Sequence, residues 1–108
     1  MGVQMYSKRD FDQIDHNYFN VKAVNGYNIC LQSKNSKHYW TIQCQEFKNK
    51  RSLIVFHRHD SSGYFHVQSH YHPRTIEQAQ DLIKEHDNFH LTVRLKNKKG
   101  KNKKQRVN

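Results

Sequence analysis

The feature that most restricts this fold is a period of two in hydrophobicity, repeated from residue 27 to residue 71 and broken each time by a turn signal. Tyr27, Ile29 and Leu31 alternate with polar neighbours, and so do Trp40, Ile42 and Cys44. Successive side chains of a strand point to opposite faces, so such runs describe strands with one side buried. Stretches 53–59 and 64–71 are rich in aromatic and β-branched residues and read as two more strands. Val21 to Val24 precede Asn25-Gly26, which predicts a hairpin with a type I′ turn, because that turn needs positive φ at both central residues. Pro73 cannot donate to a ladder, so the strand before it must end there.

Helical spacing appears twice. Ser7 with Asp10 resembles a capping box, and Phe11, Ile14 and Tyr18 then fall on one face of a helix over 8–18. Thr75 with Gln78 makes a second box, followed by a stripe of Ile76, Ala79, Leu82, Ile83 and His86. Phe89, Leu91, Val93 and Leu95 alternate again and predict a last strand. The expected fold is therefore α+β: a mostly antiparallel sheet of five to six strands in the order α-β-β-β-β-β-α-β, with the 75–87 helix on one face.

A chain of 108 residues is one domain on size grounds. Residues 1–95 read as that domain, with 1–6 flexible. Hydrophobic residues make up only 34% of the chain, so its 13 aromatics should anchor the core. Seven of the ten net positive charges sit in the last 13 residues, leaving +3 for the first 95. That stretch, with Lys98, Lys99, Lys101, Lys103, Lys104 and Arg106, has no periodicity and is expected to be a disordered tail. Two cysteines, Cys30 and Cys44, make no disulfide framework and read as buried thiols. With no secretory segment and no long apolar span, the expectation is a cytoplasmic protein that does not enter a membrane.

Five of nine histidines lie in 51–72: His57, His59, His66, His70 and His72. If the turn at 60–63 pairs His59 with Tyr64, then His57 faces His66 and Phe56 faces Val67. A five-residue loop at 47–51 then gathers Trp40 and Ile42 with Ile54 and Phe56 into one apolar face. A four-residue loop would move them to the histidine side. The first choice keeps one side dry and predicts an open face of histidines with Tyr39 and Tyr64.

That face suggests a small basic nucleic-acid-binding protein, with RNA or another single strand as its partner. Tyr39, Tyr64, His57, His59, His66 and His70 would offer stacking planes, while Lys48, Lys50, Arg51, Arg58, Arg74 and the tail approach phosphates. Glu77, Asp81 and Glu85 form an acidic ladder on the later helix, which speaks against a recognition helix. The alternative is a non-catalytic module that binds or inhibits a protein. Lesser alternatives are a metal site at His57, His59 and His66, and a small ribonuclease using a histidine base. Nothing aligns the groups that catalysis needs, so a binder is expected rather than an enzyme, with no cofactor. Histidines crowded on an open face would titrate between roughly pH 5 and 8, so anions should bind there better in acid.

Overall fold

The structure, a computed structural model, describes residues 5–48, 50–68 and 73–94. The expected tail at 96–108, His70 and His72 all lie outside them. Five antiparallel strands form a sheet in simple sequence order: β1 (Phe19–Val24), β2 (Asn28–Ser33), β3 (Tyr39–Phe47), β4 (Lys50–Arg58) and β5 (His66–Val67). A short helix, α1 (Lys8–Asp12), precedes the sheet, and α2 (Ile76–Phe89) follows it.

Each local signal has a physical counterpart. The Asp10 carboxylate accepts from the Ser7 backbone N–H at 2.8 Å, which holds the start of α1. That helix stops at Asp12, well short of residue 18. Ile14 is nevertheless in the core, and Phe11 and Tyr18 pack against it, carried there by turns. At the first hairpin, Asn25 and Gly26 both keep negative φ, so the turn is not of type I′. Instead the Asn25 side chain accepts from the N–H groups of Tyr27 and Asn28, both at 2.8 Å. Asparagine thus acts as an Asx-turn acceptor and not as a left-handed residue. At 60–63 the Asp60 side chain does the same for Ser62 and Gly63, at 2.9 and 3.0 Å. The pairing that follows is the expected one, with Phe56 opposite Val67 and His57 opposite His66.

The loop between β3 and β4 departs from expectation. Phe47 pairs with Lys50, so only Lys48 and Asn49 connect the strands, and Lys48 takes φ 53° to make the tight turn. Trp40 then faces His57 and Ile42 faces Val55. Compared with the expected five-residue loop, the register moves by one residue, and every side chain of β3 changes face relative to β4. Ile29, Leu31, Trp40, Ile42, Leu53 and Val55 are all fully buried on one side. Tyr39, Thr41, Ile54, Phe56 and Arg58 alternate with them on the other side and are half-buried.

Both helices cover the buried side. Thr75 Oγ1 accepts from Gln78 N–H at 3.1 Å and starts α2. Ile76, Ala79 and Ile83 enter the core as the stripe requires. Gln80 is also buried: it accepts from Asp15 N–H and donates to the Gln13 carbonyl, each at 2.8 Å, and so fastens α2 to the chain after α1. Arg51 grips Asp10 with both terminal nitrogens, at 2.8 and 2.9 Å, tying α1 to β4. The last expected strand does not form. Residues His90–Arg94 continue the helix as a wider π-turn, with Thr92 Oγ1 donating to the Asn88 carbonyl at 2.6 Å. Alternation alone was too weak a signal there, because the same side chains also suit a helix packed on one side. No helix of the described residues is long and apolar enough to cross a membrane.

The two faces make opposite demands on neighbouring residues. Trp40→Ala is expected to cost about 3–5 kcal/mol of unfolding free energy, as a cavity in a packed core does. Tyr39→Ala should cost about 1 kcal/mol or less. Urea unfolding of the two variants checks this, and equal losses would contradict the observed register.

Candidate functional site

The helix lies across the face that the sequence had marked as open. His57 is only 1% exposed, beneath α2, so it offers no surface for a ligand to stack on. The predicted open histidine face is corrected on this point, and the cause is the loop register. Trp40 brings the apolar set to the histidine side, and α2 follows it.

A histidine cluster results at one end of the sheet–helix seam. His57 stacks on Trp40 with ring centres 4.1 Å apart. His38, His59, His66 and His86 surround it at 4.8, 5.0, 5.3 and 4.7 Å. His38 is buried between His59, at 4.6 Å, and His90, at 4.5 Å. Its Nδ1 lies 2.8 Å from Nε2 of His57, a hydrogen bond in which one ring donates and the other accepts. His59 and His66 are exposed at the rim, and His86 and His90 are half-buried. One ring nitrogen each from His38, His57 and His86 lies within 4.8 Å of the other two.

Two of these side chains belong to signals present in the sequence. His38 stands two residues before Trp40, so it shares the side of β3 that Trp40 occupies. His86 lies on the Ile76 stripe and therefore points at the sheet, not along the helix end as its position suggests. Only the reversed register kept them from being grouped with His57. Of the trio expected to bind metal, His57 is central, while His59 and His66 sit at the rim.

Beside the cluster, Asp87 is fully buried. It accepts from Ser33 Oγ, from Ser36 Oγ at 2.7 Å and from the Tyr18 hydroxyl at 2.7 Å. Three hydroxyl donors satisfy a charge that would otherwise be costly to bury. Burial first, then the Asp87 hydrogen bond, pushes the Tyr18 hydroxyl well above the usual phenol range. Trp40 Nε1 donates to Ser33 Oγ at 3.0 Å, which links this network to the imidazoles.

The other face carries a different arrangement. The Arg58 guanidinium lies over the Tyr39 ring at 4.9 Å and over the Phe65 ring at 4.5 Å. Among the described residues Arg58 makes no ion pair. Val67, opposite Phe56 on this side, is 55% exposed, and Tyr64 in the preceding loop is 95% exposed. No described helix covers this side. Lys48, Lys50 and Arg74 are exposed, whereas Arg51 is committed to Asp10. Cys44 is buried and Cys30 half-buried, its sulfur 3.3 Å from Thr41 Oγ1. No protein-family model matches the chain, and no solved structure matches it.

Burial also removes the titration expected of His57. Burial, then the neighbouring His90 and His59, lowers His38 to about 4, and burial, then His86 and His38, lowers His57 to about 3. Both folded values lie below the ordinary imidazole value of 6.5, so between those limits the unfolded chain binds more protons than the folded one. Stability from this pair is complete above about pH 6.5 and is lost as pH falls through 4 toward 3. The slope cannot exceed roughly 1.4 kcal/mol per pH unit for each imidazole. Asp10 has the same sign but a lower window: Arg51 holds it at about 2, so its contribution fades only below about 3.8. Urea unfolding from neutral pH down to about 4.5 checks the histidine pair, and a flat profile would mean that His38 and His57 charge freely in the native state.

Proposed function

We propose that the protein binds single-stranded nucleic acid through the outer face of its sheet. The observation that carries this reading is Arg58 held between Tyr39 and Phe65 on the face the helices leave uncovered. An aromatic ring on a sheet offers a plane to any base, worth roughly 1–3 kcal/mol for each base stacked. Arg58 Nη1 reaches the Gly63 carbonyl at 3.5 Å and Nε is buried, so the remaining terminal nitrogen, Nη2, is the donor left to meet a phosphate. Lys48 and Lys50 lie at the β3–β4 turn. The formal charge of +10 supplies attraction to a polyanion that does not depend on sequence.

The interface expected from the sequence is thus redrawn. Tyr39 and Arg58 remain in it, while Lys48 and Lys50, at the opposite end of the β3–β4 hairpin, and the exposed Tyr64 and Arg74 can add to it only where a longer strand reaches them. His57 leaves it because the helix covers it, and Arg51 leaves it because Asp10 neutralises it. His59 and His66 belong to the rim of the opposite side. Without an exposed histidine face, the expected gain in affinity at acid pH no longer follows from the imidazoles.

Binding of the full chain to single- and double-stranded RNA and DNA across a salt series tests the reading. Tyr39→Ala is expected to weaken single-strand binding by roughly 5- to 150-fold, the equivalent of one lost stacked base. Arg58→Ala should lower affinity and reduce the salt slope by about one phosphate contact. Truncation at Leu95 should lower affinity for all four ligands while leaving the Tyr39 effect in place. No binding to any strand at low salt would overturn the proposal. The exposed Tyr64, Phe65 and Val67 would then mark a surface for a protein partner.

A further inference from the structure

We infer that His38, His57 and His86 form a binding site for a divalent transition-metal ion of the zinc type, with a fourth ligand from solvent. This inference stands on the seam beneath α2 and is independent of the outer face. The three imidazoles come from the residue before β3, the end of β4 and the last turns of α2. One nitrogen from each lies within 4.8 Å of the others, and the pair from His38 and His57 is 2.8 Å apart. A tetrahedral zinc ion with bonds of about 2.0–2.1 Å to nitrogen spaces its ligand atoms roughly 3.4 Å apart. The observed separations fall on both sides of that figure. Opening the closest pair by about 0.6 Å, with release of the proton that the two rings share, and closing the widest by at most about 1.4 Å would bring the nitrogens to that spacing.

The surroundings suit such a centre. Trp40 stacks on His57 at 4.1 Å and meets His86 edge-on at 5.3 Å, so the rings are held in place before an ion arrives. Stacking by His59 does the same for His38. The donor set selects the metal class. Three imidazoles, with no carboxylate or thiolate among them, suit zinc and its neighbours in the first transition row and disfavour magnesium and calcium. Three protein ligands leave one position of a tetrahedron for water or a small anion.

The test uses the full chain without a histidine tag, stripped with chelator and titrated with Co(II) and then Zn(II). One ion per chain is expected, with the intense visible absorption of tetrahedral Co(II), its displacement by zinc, and a raised thermal midpoint. His86→Gln and His38→Gln should each weaken zinc binding at least tenfold. His16→Gln, at an exposed histidine outside the cluster, should leave it unchanged. Melting curves without metal establish that the variants fold. Binding that both cluster variants leave within twofold of the parent overturns the inference. So does less than one ion per chain, or a weak octahedral Co(II) spectrum in the parent, and these two outcomes remain decisive even if both variants unfold.

Discussion

Trp40 opposite His57 is the contact on which the arrangement of this protein depends. It fixes the alignment of β3 on β4, and that alignment fixes which side of the sheet is dry. A tight two-residue connection achieves it, with Lys48 in the left-handed region of backbone space. Side-chain direction alternates with a period of two, so no intermediate state exists between the two choices of face. Ile29 and Leu31 from β2, and Leu53 and Val55 from β4, then add to one surface. Both helices bring apolar side chains to that surface.

The choice has a polar consequence. A sheet that buries Trp40 and Val55 must also bury the residues in phase with them, and these include His38, His57 and Ser33. Histidine tolerates such a site when it stays neutral, because a neutral ring carries one donor and one acceptor that a second ring can match. The pair of His38 and His57 is that match. Asp87 is met by hydroxyls from Ser33, Ser36 and Tyr18. The seam is thus apolar toward Ile76 and Ile83 and polar toward His86 and Asp87. Helix α2 is held by hydrophobic burial through Ile76, Ala79 and Ile83 and by hydrogen bonds at Gln80 and Asp87. These bonds are directional, so they also set its rotation about its own axis.

The opposite face is what remains after that partition. It is not apolar enough to demand a covering layer, since Thr41, Gln43 and Arg58 interrupt Ile54 and Phe56. Nor is it the polar surface that a solvated sheet usually shows, since aromatic rings flank Arg58 on both sides. The proposed metal site and the proposed nucleic-acid surface therefore lie on different sides of one sheet.

Local chemistry was legible in the residues themselves. Alternation located strands 2 to 5, Thr75 and its stripe located α2, and Asp60 with Gly63 set the last hairpin so firmly that His57 was matched to His66 in advance. These features depend on neighbours within a few positions, where φ/ψ preference and side-chain period act directly. The length of one loop was not legible, because Lys48-Asn49-Lys50-Arg51 is compatible with several turns of nearly equal local energy. Only the packing of α2 against Trp40, Leu53 and Val55 separates those turns, and that packing joins residues more than twenty positions apart. Sequence alone therefore determined that the chain is a sheet with a helix upon it. Tertiary structure decided which way the histidines turned, because burial of a whole face outweighs any preference a single turn can express.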